Sequence, residues 1–280
     1  MKLLLENWRK YLIQEQNAPW VEDLKKDKWA VENEEKFKPV GSGAFRKVYS
    51  PIGHEDFIVK VIRNPKDVYM NKKDIELSVK YPDIIPKTFE HGPCITQQGQ
   101  EKCGYDWFVM EAVTVLERPW HGPGAAELFT EMLKVNFPEI VRLASTDAEV
   151  QAAIEGIHVT GGVPFIMWLL VRRSINYGKR NYGGYTSAER EKTEDPRELP
   201  QPWSQGELPD KSDQDVWRHS DLNPKPVYKK IFDVGMHNDI YRQLFKAASI
   251  DEVDIDDIVA GNIGIDRESN FKIIDTSVFL

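Results

Sequence analysis

Cysteine is nearly absent: Cys94 and Cys103 are the only two in 280 residues. Two thiols cannot build the disulfide framework of a secreted mini-domain, nor a four-ligand zinc site without histidine. They flank a turn at Gln97-Gln98-Gly99-Gln100, where a cross-strand contact is open to them; the plainer reading is a pair of reduced thiols in a cytosolic protein. Long apolar runs are also missing. The longest lies near 163–171, well short of the roughly 18 residues that a membrane-spanning helix needs, so a soluble protein with no membrane partner is expected. Positive charge is in deficit, 37 Lys and Arg against 45 Asp and Glu, net −8. A general nucleic-acid binder is therefore not expected, because such affinity rests on neutralising phosphates with Lys and Arg. No internal repeat is visible. What is present, 41% apolar residues including 11% aromatic, is ample for a core in a chain of this length.

The N-terminal stretch MKLLLENWRKYLIQEQ sets Leu4, Leu5, Trp8, Tyr11 and Leu12 at helical spacing with Glu6, Arg9 and Lys10 opposite. It reads as a short amphipathic helix, broken at Asn17-Ala18-Pro19 and followed by a charged connector to about residue 35. From Phe37 the pattern is strand-like: FKPVGSGAFRKVYSP is strand, glycine turn, strand, and FIVKVIR is a third strand holding Lys60 among apolar neighbours. A lysine in a strand built for burial needs an anionic partner. Gly41, Ser42 and Gly43 leave room for a phosphate to approach, and Val48 is placed to cover an adenine ring. The partner of Lys60 is expected on a helix between 66 and 81, ended by Pro82. Asp74 of Asn71-Lys72-Lys73-Asp74 is the first candidate and Glu76 the competitor.

The segment 105–110 reads as a strand. Residues 125–144 and 147–157 read as helices, the second capped near Asp147, and 163–175 as a helix crossing a core. A long polar loop or lid follows over 176–226, with Trp203 and Trp217 as points where it packs. The helix 238–248 leads into the C-terminal stretch. There Asp257 stands five residues before Asn262, a short strand follows at 263–265, and FKII delivers Asp275 across a polar turn at 266–270. That hairpin is expected to bring Asn262 and Asp275 together.

These motifs together resemble the protein-kinase-like superfamily. Gly41, Gly43 and Val48 match the glycine-rich loop, with Arg46 where a third glycine usually stands. Ile58-Val59-Lys60 matches the strand bearing the phosphate lysine, and 109–113 is similar to the hinge, whose Glu111 carbonyl and Val113 amide grip adenine. Asp257 and Asn262 match the D-x-x-x-x-N catalytic loop, and Asp275 the metal-binding Asp of D-F-G, here D-T-S. Small atypical phage and bacterial kinase-like proteins are the nearest in pattern.

The resemblance implies an α+β fold with an antiparallel-sheet N-lobe over 36–116. A mainly helical C-lobe over 117–280 would follow, cut short after Asp275 and lacking the platform that holds a peptide substrate. It implies ATP and Mg²⁺ as cofactors, Lys60 and Asp257 as catalytic residues, and Asn262 and Asp275 on the metal. Asp256 competes with Asp257 as base, although spacing to Asn262 selects Asp257. The expected activity is ATP-dependent phosphorylation of a protein or small-molecule hydroxyl; the alternative is a pseudokinase with a binding or structural function. Residues 1–15 resemble the leader peptides of proteins packaged into tailed-phage capsids, with Ile13-Gln14-Glu15 as the cleavage site. That would imply capsid partners, the host cytoplasm and packaging in the virion; the competing reading is a helix packed on the domain.

Overall fold

Strands predominate early in this chain and helices late, in a mixed α+β fold. The computed structural model describes residues 18–92, 94–97, 100–116, 123–157, 162–182, 224–251, 253–255, 258 and 261–275. The chain divides into two compact units, Met1–Ala112 and Val113–Leu280.

Among the described residues the first unit opens with α1 (Pro19–Lys26) and a 3-10 turn at Lys28–Glu32. Strands β1 (Phe37–Ser42), β2 (Arg46–Pro51) and β3 (Phe57–Ile62) follow, then α2 (Val68–Lys80), β4 (Thr88–His91), β5 (Cys94–Gln97), β6 (Gln100–Cys103) and β7 (Trp107–Glu111). Five of these strands pair antiparallel in the order β1-β2-β3-β7-β4. The β5-β6 hairpin is separate, and its register sets Cys94 opposite Cys103.

Residues paired across antiparallel strands share a face, so the register sorts the sheet into two surfaces. Tyr49, Val59 and Val109 lie on one, with Lys47, Val61 and Trp107; Val48, Lys60 and Phe108 lie on the other, with Arg46, Ile58, Ile62 and Met110. The first surface packs against α1 and the 3-10 turn through Trp20, Val21, Leu24 and Val31. The stretch 18–35, expected as a connector, therefore contributes Ala18, Trp20, Val21, Leu24 and Val31 to the core. Their apolar positions are few but fall on one stripe, and Pro19 stands in the first turn of the helix, where its missing amide costs no hydrogen bond.

The second unit contains β8 (Thr114–Val115), β9 (Ile263–Ile265) and β10 (Phe271–Ile273), paired antiparallel in the order β10-β9-β8. Its helices among the described residues are α3 (Pro123–Asn136), α4 (Pro138–Thr146), α5 (Ala148–Gly156), α6 (Gly162–Tyr182), α7 (Pro224–Gly235) and α8 (Asp239–Ile250). The helix expected over 125–144 is two helices, because Pro138 lacks the amide that would continue the first and instead starts the second. Asp147 caps α5 by accepting from the amides of Glu149 and Val150. The stretch 176–226 is not wholly loop: its first residues extend α6 to Tyr182 and its last begin α7. Residues 183–223, with Trp203 and Trp217, lie outside the described residues, as do the stretch expected as an N-terminal helix and its Ile13-Gln14-Glu15. Among the described residues no helix is long and apolar enough to cross a membrane.

Candidate functional site

In the first unit the glycine turn closes through the Gly43 amide, which donates to the Arg46 carbonyl at 2.9 Å. Gly41 faces Val48 across a bulge in β1, and Val40 and Phe45 project into solvent. Neither glycine is demanded by the fold. Neither has a positive φ. A Cβ on Gly41 would meet Val48 only at 3.7 Å, and one on Gly43 would meet nothing within 4 Å. Arg63 binds this turn twice, by its amide to the Phe45 carbonyl and by its guanidinium to the Ser42 hydroxyl.

Beneath the turn lie three buried charges: Arg46, Lys60 and Asp74, exposed by 5%, 4% and 5%. Lys60 Nζ stands 3.6 Å from Asp74 Oδ2 and 5.7 Å from the centre of the Phe108 ring. Arg46 Nη1 hydrogen-bonds the same Oδ2. Of the two acids weighed as the lysine's partner, Asp74 is the one within ion-pair reach. Glu76 instead faces Lys72 at the surface, 3.7 Å away. Asn71, one turn before Asp74 and fully buried, donates from Nδ2 to the Tyr105 carbonyl at 2.8 Å and so ties α2 to the start of β7. Val48, Lys60 and Ile58 share the surface opposite the apolar core, the first and last half-buried. Glu111 ends β7 and Val113 precedes β8, so the division between the units falls within the expected hinge segment.

In the second unit the expected hairpin forms. Ile265 faces Phe271 and Ile263 faces Ile273, and the Ile274 amide donates to the Asn262 carbonyl at 2.8 Å. Asn262 and the half-buried Asp275 therefore sit at the same end of the hairpin. β8 approaches closely enough that a Cβ on Gly264 would meet the Thr114 carbonyl at 2.6 Å, so only glycine fits there. Asp266 shapes the turn by accepting from the amides of Glu268 and Asn270.

Asp256 and Asp257 lie outside the described residues, but the chain is held on both sides of them. Arg172 Nε donates to the Ile255 carbonyl at 2.9 Å, and Trp168 Nε1 to the Ile258 carbonyl at 3.1 Å. Both donors come from α6, and sequence reasoning assigned neither a task. It also missed Asn136, exposed by 4% at the end of α3. Asn136 Nδ2 donates to the Met132 and Ser269 carbonyls, its Oδ1 accepts from the Phe271 amide, and its own carbonyl accepts from Asn238 Nδ2. It fixes the hairpin and the start of α8 to α3. Nothing in the sequence distinguishes it, because an asparagine at a helix end usually caps locally.

Among the described residues no group of three or more His, Cys, Asp or Glu side chains could hold a metal ion. Asn262 and Asp275 nevertheless suit Mg²⁺, which is commonly held by one or two protein oxygens with water and substrate phosphates completing its shell. No protein-family model matches this chain, and a search of curated proteins finds no match.

Proposed function

We propose that this protein is an ATP-dependent phosphotransferase with a kinase-like two-lobe arrangement, transferring phosphate to a hydroxyl of a protein or small molecule. The observation that carries the reading is the glycine turn of β1 and β2. Its glycines answer no need of the fold, which points to a ligand that must approach the backbone closely, and the adjoining strand carries a buried lysine. A polyphosphate would suit that surface, with a turn free of side-chain bulk on one side and the Lys60 cation on the other. Val48 and Ile58 would flank the adenine, with the Glu111 carbonyl and Val113 amide as its edge contacts.

Asn262 and Asp275 would hold Mg²⁺, which when bound neutralises charge building on the phosphates. Asp257 would accept the proton of the acceptor hydroxyl as its oxygen attacks the γ-phosphorus, the bond to the bridging oxygen breaks, and ADP leaves. Arg172 and Trp168, gripping carbonyls on either side of it, would hold that carboxylate at a fixed distance from the acceptor. The second reading, a pseudokinase, is favoured by one observation: the hydrogen bond to Asp74 comes from Arg46, with Lys60 standing off at 3.6 Å. The readings part on turnover of labelled ATP. Asp275→Asn should abolish Mg²⁺-dependent binding, whereas Asp257→Asn should spare binding and lower the rate by roughly two decades or more. Binding of Mg-ATP without transfer to water, the protein itself or hydroxyl acceptors would select the pseudokinase.

A further inference from the structure

We propose that Arg46, not Lys60, is the residue that anchors α2 to the sheet through Asp74. Arg46 and Asp74 form a coupled pair in which the long side chain makes up for the short one. Both cations converge on the same oxygen, Asp74 Oδ2, but only Arg46 reaches hydrogen-bond distance. Lys60 stops at 3.6 Å, beyond the roughly 2.8 Å of a charge-assisted hydrogen bond, a gap that one more methylene on the carboxylate would close. All three groups are almost wholly buried, where an ion pair depends on close geometry and loss of a partner is expensive.

Arg46 also belongs to the glycine turn, since its carbonyl accepts from the Gly43 amide. One residue therefore fixes both the turn and the helix. Arg46 is a positioning residue: its guanidinium hydrogen-bonds the Asp74 carboxylate and so holds α2 to the sheet. That Lys60 serves a phosphate rests on the proposed function; the coupling of Arg46 to Asp74 does not.

The test is a mutant cycle on the full chain, read by thermal midpoint and by amide hydrogen exchange across Val68–Lys80. Arg46→Met should lower the midpoint by about 5 °C or more and speed exchange in α2. Asp74→Glu lengthens the carboxylate so that Lys60 reaches it directly, and on that background Arg46→Met should cost less than half as much. Equal costs on the two backgrounds would overturn the pairing. Should Asp74→Glu not fold, Asp74→Asn replaces it, and the coupling of Arg46→Met with Asp74→Asn should exceed that of Lys60→Met with Asp74→Asn. A Lys60 coupling as large or larger overturns the proposal. Mg-ATP shifts on the same proteins are scored apart: no response in any of them defeats the phosphotransferase reading, while the cycle alone decides the Arg46–Asp74 pair.

Discussion

The two surfaces of the five-stranded sheet are built from the same strands and both bury apolar side chains, yet only one of them also buries charge. One is closed by α1 with Trp20, Val21, Leu24, Phe37, Tyr49, Val59, Val61, Trp107 and Val109, an apolar layer that stabilises by removing surface from water. The other buries Arg46, Lys60 and Asp74 beside a turn whose glycines the fold does not require. Hydrophobic residues of similar volume would be as stable in place of such an ion group, or more so. The first surface accounts for why the unit folds. The second is where the sequence departs from what folding alone would select.

The sharpest break between the surfaces should come from Trp20. Its ring meets Phe37 edge-on at 6.0 Å and Phe57 at 6.2 Å, so Trp20→Ala should cost about 3 kcal/mol in chemical unfolding. At a temperature where the variant is still folded, its response to Mg-ATP should match the wild type; a lost response would mean that the two surfaces are not separable. Next in size, Tyr241→Phe in the second unit should cost about 1 kcal/mol, since the buried Tyr241 hydroxyl pairs with Ser174 Oγ at 2.7 Å. Burial pushes that phenol well above its ordinary value. Its neutral form therefore supports the fold fully below the unfolded value near 10, and the support is lost as pH rises beyond it. The variant should show less alkaline destabilisation than the wild type, and identical alkaline curves would count against this.

Smaller still, Gly41→Ala and Gly43→Ala should leave stability within about 0.5 kcal/mol or raise it slightly, through loss of unfolded-chain freedom. Both should weaken nucleotide binding. Marked destabilisation would show that the fold does need these glycines. The least effect should come from Asp147, whose carboxyl is held below its ordinary value of 3.8, chiefly by its hydrogen bond with Lys230 and then by the Val150 amide it caps. A depressed carboxyl contributes above the unfolded value and ceases to contribute as pH falls through the folded one. The stability gap between wild type and Asp147→Asn should therefore close below about pH 4, and a gap unchanged to pH 2 would contradict the assignment.

Much of this arrangement was legible in the sequence because it rests on local pattern. The strands around the glycine turn, α2 ending before Pro82, and the hairpin of β9 and β10 each carry their own periodicity and turn residues. What was not legible depends on partners distant in the chain. Trp20, Val21 and Leu24 sit in a charged stretch and gain meaning only from the bare sheet surface they cover. The helix α7 went unread although Val227, Tyr228, Ile231 and Phe232 are all buried, because its neighbour is Gly178 of α6, and a Cβ there would meet the Phe232 ring at 2.0 Å. Arg46 was visible only as a departure from a glycine. Its carboxylate partner lies 28 residues away, and no local rule joins them.

The claim that the charged surface serves a ligand is tested most directly by the thermal shift that Mg-ATP produces in wild type and in Lys60→Met. Saturating nucleotide at about 100 times its Kd should stabilise the wild type by about 2.7 kcal/mol. Lys60→Met should be as stable as wild type or slightly more so without nucleotide, and should respond far less. Equal shifts in the two proteins, or no shift in the wild type, would contradict the account.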